Sequence, residues 1–242
     1  MGAVFFYILL RSGIFAAPME LKSHTLHQHF RIAVVTSITF VIAFALFLFI
    51  YGKKDSFILI NGFYDPKLDY FFQYVTYLGD GLIYIPMVLY CLLLNRRFLV
   101  PVIAGIVICT VLTHFLKRVV FPDELRPISL EVEKVLIHKI EGVPVHRQHS
   151  FPSGHTSTAF TVALLLAAIM KRKIWSYILP MVAFLVGYSR VYLAQHFVTD
   201  VTVGMLVGIL SAFLSLMIYD VYVKRQAQKK GQNLETTPSL PS

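Results

Sequence analysis

Residues 187–200 read Gly187-Tyr188-Ser189-Arg190-Val191-Tyr192-Leu193-Ala194-Gln195-His196-Phe197-Val198-Thr199-Asp200. Long apolar segments flank this stretch on both sides, yet it carries Arg190, His196 and Asp200. A charged side chain at the centre of a membrane helix costs on the order of 2.5–3.5 kcal/mol on insertion scales, so such residues persist where they pair with each other or with a ligand. A helix beginning at Val198 would put His196 just ahead of it and Asp200 in its first turn. A carboxylate placed there can hydrogen-bond one imidazole nitrogen and leave the other free to react. The stretch reads as a functional joint between two spans.

The rest of the chain agrees with a membrane setting. Of its 242 residues 57% are hydrophobic and only 14% charged, and the mean hydropathy is +0.68. These values belong to polytopic membrane proteins and exclude an ordinary soluble domain. The two cysteines, Cys91 and Cys109, both lie in apolar runs and read as small buried hydrophobes, with no disulfide framework or Cys-based metal site. A net charge of +9 raises the question of nucleic acid. The basic residues are scattered between apolar segments rather than gathered on one face, so topology explains them and no nucleic-acid partner is expected.

Six segments are long enough, or nearly so, to cross a bilayer: 32–51, 82–94, 99–115, 156–170, 174–193 and 198–222. The predicted fold is thus an all-α membrane protein of six transmembrane helices occupying 31–222. Ahead of it, 1–30 is an N-terminal segment that either lies along the membrane surface or precedes a true start at Met19. No positively charged stretch precedes its apolar residues, so a cleaved signal peptide is not expected. Behind it, 223–242 turns Gln-, Thr-, Ser- and Pro-rich and reads as a disordered cytoplasmic tail. The linker 55–80 is rich in Phe and Tyr and reads as an interfacial aromatic helix, a lip at the depth of lipid headgroups. Gly204 and Gly208 permit close helix packing, within the chain or between copies, and leave the oligomeric state open.

Six crossings put both termini and two short basic turns, Asn95-Arg96-Arg97 and Lys171-Arg172-Lys173, on one side. That side holds twelve Lys/Arg against three Asp/Glu, and the other holds ten of each. Because the first set crowds into short loops, the positive-inside rule assigns that side to the cytoplasm. Three polar clusters then fall together on the non-cytoplasmic face. They are Lys117 with Arg126-Pro127, the run Phe151-Pro152-Ser153-Gly154-His155, and Ser189-Arg190 with His196 and Asp200. Arg offers forked donors matched to phosphate oxygens, and Lys adds a point charge. Ser153 and Gly154 precede a helix, whose first N–H groups and positive dipole end attract an anion. This inventory suits a tetrahedral anion.

The clusters resemble the signature of the type 2 phosphatidic acid phosphatase superfamily, which also includes vanadium haloperoxidases. Pro152-Ser153-Gly154-His155 matches its second motif, and Ser189-Arg190, five residues, His196, three residues, Asp200 matches its third without a gap. The first motif departs from the pattern. The family has Lys, six residues, then Arg-Pro, whereas eight residues separate Lys117 from Arg126 here, so either the loop bulges or Arg118 takes the role of Lys117. The resemblance implies a bacterial inner-membrane enzyme working through a phosphohistidine. In that reading His196 is the nucleophile, Asp200 orients it, and His155 serves as acid and then base. Lys117, Arg126, Arg190, Ser153 and the Gly154 N–H bind the phosphate. No cofactor and no metal are implied. The substrate would be a lipid phosphate or pyrophosphate reached from the periplasm or exterior, such as undecaprenyl pyrophosphate or a phosphate of lipid A, with phosphatidylglycerophosphate and phosphatidic acid as alternatives.

Taken singly, each residue has a plainer explanation. A Lys at a span end is commonly a snorkelling anchor, a Ser-Gly before a helix is commonly a cap, and His146 and His149 read as loop residues. A proton-coupled transporter would use Arg190, His196 and Asp200 as a relay, but would also need polar groups spread through several spans. A metal hydrolase would need clustered ligands, and no His-Glu-x-x-His pattern occurs.

Overall fold

A computed structural model describes residues 23–235. Among them are seven α-helices joined by short 3-10 and π turns, and no strand. The expectations for 1–22 and 236–242 lie outside the described residues.

Helix α1, Ser23–Asn61, starts nine residues before the apolar run predicted at 32–51. Partners on other helices account for the extension, since His29 Nδ1 donates to Met170 O at 2.9 Å and His27 Nε2 pairs with Asp220 at 2.9 Å. The helix is broken at Gly52, where φ is 74°, a conformation that glycine adopts without steric cost. Beyond the break, Lys53 and Lys54 reach Glu124 and Glu133 at 2.9 and 2.5 Å. Asn61 closes the helix by donating to His138 O and Tyr192 O.

The aromatic linker forms helix α2, Pro66–Val75, with Asp65 as N-cap accepting from Lys67 N–H and proline at the first position. Phe72 is buried while Tyr70 and Tyr74 are exposed. A 3-10 turn, Thr76–Gly79, leads to Asp80, and after it Gly81–Ile83 and helix α3, Tyr84–Leu94, continue. The two arms, Pro66–Gly79 and Gly81–Leu94, are together long and apolar enough to cross a membrane, bent by 58° at Asp80. The predicted lip is a helix of its own and forms one arm of this bent pair.

Helix α4, Leu99–Phe115, runs into a π turn, Leu116–Val120, and the linker that follows carries a 3-10 helix, Pro127–Glu133. Helices α5 (Gly154–Ile169), α6 (Trp175–Tyr192) and α7 (Val198–Glu235) complete the bundle. Three stretches among the described residues are long and apolar enough to cross alone: Thr25–Asn61, Arg96–Val120 and Val198–Gln228. Helix α5 is shorter and sits at the centre, packed by α1, α4, α6 and α7, with Phe160, Leu164 and Ala167 fully buried. Cys91 and Cys109 are free and buried.

The Gly204–Gly208 pair packs inside the chain. A Cβ on Gly208 would lie 2.6 Å from Phe160 Cβ and 2.7 Å from Ser157 O, and one on Gly204 would lie 2.8 Å from Ser153 O. The two glycines let α7 approach α5 backbone to backbone, which fixes where Asp200 stands relative to Ser153. One correction concerns 223–242, where disorder was expected: α7 continues thirteen residues past Tyr222 to Glu235. Lys224, Arg225, Gln226, Ala227 and Gln228 are all strong helix formers, and no Gly or Pro interrupts them before Gly231. The chain reverses between α5 and α6 and again between α6 and α7. The C-terminal ends of α4 and α6 thereby meet the N-terminal ends of α5 and α7.

Candidate active site

Arg190 occupies the last turn of α6, and the chain hooks back immediately after it. Gln195 N–H and His196 N–H both donate to Arg190 O, at 2.9 and 3.1 Å, and Ala194 adopts φ 54° to make the turn. A non-glycine residue in that region is uncommon and mildly strained. The hook explains the spacing, since five intervening residues bring His196 back beside the guanidinium. Helix α7 then starts at Val198 and delivers Asp200 from its first turn.

His196 Nδ1 stands 3.3 Å from Asp200 Oδ2, with both side chains buried. The same carboxylate oxygen accepts from Phe197 N–H at 3.0 Å and from the Ser150 hydroxyl, and Oδ1 accepts from Thr199 Oγ1 at 3.2 Å. Asp200 is thus held in place from four directions. Burial pushes the His196 imidazole down to about 3 even though Asp200 pulls the other way. The ring is neutral near pH 7, with Nδ1 committed to Asp200 and Nε2 left with its lone pair.

The second motif is joined to the third through the backbone, as Ser153 N–H donates to Asp200 O at 3.0 Å. Ser153 is the N-cap of α5, where its Oγ accepts from Thr156 Oγ1 at 2.9 Å and from Thr156 N–H at 3.5 Å. Gly154 and His155 follow in the first turn. His155 Nε2 lies 4.0 Å from Asp80 Oδ2, while Asp80 Oδ1 accepts from Leu82 N–H. Gly79 is pressed against His155, and a Cβ there would lie 2.6 Å from His155 O.

A cavity of about 440 Å³ opens over these elements and is lined by Lys117, Arg126, Gly154, His155, Arg190 and His196, among others. Two of the residues expected at the site stand behind this wall. Asp200 backs His196, and Ser153, fully buried, caps the helix whose first N–H groups face the cavity. Lys117 has no hydrogen-bond or ion-pair partner among the described residues, and the Arg190 Nε is buried without one. Arg190 Nη1 donates to Thr76 Oγ1 at 2.7 Å. Among the described residues no carboxylate lines the cavity. Three cations and three imidazoles, His146 included, around a space of this size make a receptor for a compact, multiply charged anion.

The first motif contributes Lys117 and Arg126 to the cavity wall. Residues 116–120 wind as a π turn, with Phe121 N–H donating to Leu116 O at 2.8 Å. A π turn absorbs an extra residue without losing the helix, and Lys117 reaches the cavity while Arg118 does not. Arg126 is fixed by carbonyls, donating through Nε to Gln148 O at 3.0 Å and through Nη1 to Gln195 O at 2.9 Å.

Several participants carried no motif. Ser150 and Gln195 sit beside motif residues in the sequence, and that adjacency is the one signal they gave, while His146 read as a loop residue. Thr76, Tyr77 and Asp80 come from the aromatic linker, where Asp80-Gly81 is a polar break in an apolar run. Among the described residues no group of three or more His, Cys, Asp or Glu is arranged to hold a metal.

A model of the PAP2 superfamily matches residues 98–224, a range that contains all three clusters. The chain belongs to the PAP2 superfamily. It is 27% identical over 198 residues to the lipid A 4'-phosphatase of Porphyromonas gingivalis, a match covering 77% of this chain and 80% of that one. It is 30% identical over 167 residues to the undecaprenyl-diphosphatase of Sulfolobus acidocaldarius, covering 68% and 77%. Among solved structures, the crystal structure of Aquifex aeolicus LpxE superposes with a TM-score of 0.59 at 34% identity, covering 68% of this chain and 94% of that one. As a PAP2 protein the chain is an all-α membrane protein and a hydrolase of phosphoric esters.

Proposed function

We propose that this PAP2 phosphatase is a metal-independent lipid phosphate or pyrophosphate phosphatase that works through a phosphohistidine. The observation that carries the reading is the buried His196–Asp200 pair at the base of a cavity walled by Lys117, Arg126 and Arg190. His196 Nε2 attacks phosphorus, and the bond to the leaving oxygen breaks as His155 gives that oxygen a proton. His155 then takes a proton from water, whose oxygen attacks phosphorus. The P–N bond breaks, inorganic phosphate leaves, and both histidines return to their starting states. Asp200 stabilises the charge that His196 acquires, and the three cations with the Gly154 N–H hold the transferring oxygens. Ser153 contributes by fixing the first turn of α5.

The exposed Tyr70, Tyr74 and Tyr77 beside the cavity mouth favour a lipid over a soluble ester, since such rings seat at headgroup depth. The charge distribution supports six crossings, cytoplasmic termini and a site facing the periplasm or exterior of a bacterial inner membrane. That orientation, with relatives named for lipid A and undecaprenyl diphosphate, favours an envelope lipid of one of those two kinds over phosphatidylglycerophosphate or phosphatidic acid. The polar groups gather at one end of the bundle, which disfavours a transport relay.

The test is phosphate release by purified protein from undecaprenyl pyrophosphate, lipid A and glycerophospholipid phosphates, with and without His196→Ala. Release should survive a chelator, stop with vanadate and vanish in the variant. Full turnover by His196→Ala would end the phosphohistidine route, and chelator sensitivity would end the metal-free one. A reporter placed within 128–148 should read external, and one placed after Tyr222 should read cytoplasmic.

A further inference from the structure

Helix α6 carries Arg190 at one end, and at its other end it meets the start of α1. There the two helices enclose an open groove of about 640 Å³, lined by His27, Gln28, Arg31, Val35, Lys173 and Tyr177 among others. Lys173 and Arg190 are separated by about 25 Å at the rise of an α-helix, close to the thickness of a bilayer's apolar layer. The groove and the active site therefore open at opposite membrane faces.

The charges around this groove are unbalanced. Arg31 and Lys173 have no hydrogen-bond or ion-pair partner among the described residues. The nearby Asp220 is occupied by His27 at 2.9 Å, and among the described residues no Asp or Glu lines the groove. Beyond the cations the surface turns apolar, with Val35 65% and Tyr177 42% exposed on the groove wall and Met181 54% exposed one turn further along α6. Further along the same two helices Phe40 stacks on Phe184, ring centres 4.5 Å apart. Two free cations at the mouth of an apolar channel match a molecule with a phosphate at one end and a hydrocarbon tail at the other. Free phosphate would satisfy the cations but leave the apolar walls uncovered.

We propose that this groove holds an anionic phospholipid of the opposite leaflet, its phosphate between Arg31 and Lys173 and one acyl chain along Val35, Tyr177 and Met181. Basic residues at a helix end attract anionic headgroups, and a pocket between helices adds shape to that attraction. The occupant is distinct from the substrate and comes from the surrounding bilayer.

Native mass spectrometry of the purified full chain tests this, with added phosphatidylglycerol, phosphatidylcholine or inorganic phosphate. Wild type should retain phosphatidylglycerol, retain phosphatidylcholine about tenfold less, and show no comparable adduct with phosphate. R31Q/K173Q should lose that retention about tenfold while hydrolysing a water-soluble phosphate ester at the wild-type rate. K173E, a single exposed change, should show the same loss and guards against misfolding of the double variant. His196→Ala should retain phosphatidylglycerol as wild type does. Undiminished retention by R31Q/K173Q and K173E, or equal retention of phosphatidylcholine, would overturn the proposal. Loss of the lipid in His196→Ala would move it to the active site and overturn it too.

Discussion

Arg126 Nη1 donates to both oxygens of Gln195, the backbone carbonyl at 2.9 Å and the side-chain Oε1 at 3.3 Å. Gln195 in turn donates through Nε2 to Pro144 O at 2.9 Å. One amide, adjacent in sequence to His196, therefore ties the long linker before α5 to the turn before α7. Two motifs more than sixty residues apart are held in register by a residue that belongs to neither.

Gln195→Ala should consequently weaken phosphate binding more than chemistry. The backbone carbonyl contact survives, but the side-chain oxygen and the link to Pro144 are lost. A hydrogen bond to a charged group contributes about 1.5–3 kcal/mol, so kcat/KM should fall by about tenfold or more, chiefly through KM. Steady-state kinetics on a water-soluble phosphate ester would show the split. An unchanged KM would mean that the backbone carbonyls of Gln148, His149 and position 195 hold Arg126 without the Gln195 side chain.

Lys117 and Arg118 should separate cleanly. Lys117 lines the cavity without a partner, and Arg118 does not line it. Removing one preorganised donor to a developing anion costs about 10²–10³ in kcat, so Lys117→Ala should lose activity on that scale. Arg118→Ala should stay near wild type. The reverse ranking would show that the π turn is wound differently when substrate is bound.

Much of the candidate site's arrangement was legible in the sequence because its residues fall in short, rigidly spaced motifs. His155, Arg190, His196 and Asp200 lie where helix ends and a five-residue hook oblige them to lie. The elements read less well were those governed by tertiary contact. The bend at Asp80 depends on Gly79 meeting His155, and the early start of α1 depends on His27 and His29 finding partners on other helices. Neither dependence leaves a periodic trace. Ser150 and Gln195 escaped notice for a related reason, since a lone polar residue in a loop has no pattern until its partner is placed. The disorder expected after Tyr222 came from composition, and local helix propensity overrode it.

Gly208→Ala should destabilise the protein without altering its oligomeric state. The added methyl would stand 2.6 Å from Phe160 Cβ and 2.7 Å from Ser157 O, both on the central helix, and neither atom is the end of a flexible chain. Overpacking of this kind costs about 1–3 kcal/mol. The apparent thermal midpoint in detergent should drop while the elution volume of the folded fraction is unchanged. A dimer-to-monomer shift would show instead that the glycine pair joins two copies.

The last prediction concerns acid. An imidazole titrates near 6.5 in an unfolded chain, whereas burial pushes His196 down to about 3 in the fold, against the pull of Asp200. Between those values the unfolded chain binds a proton that the folded chain excludes. Stability contributed by neutral His196 is therefore complete above about 6.5 and lost progressively as pH falls toward about 3. The apparent thermal midpoint of wild type should fall between about pH 7 and about pH 5. His196→Gln carries no titrating ring and should fall less over the same interval. Phosphate or vanadate bound in the cavity would favour a charged ring beside it and should shrink the wild-type drop. Parallel declines in wild type and variant would show that His196 takes up its proton within the folded site.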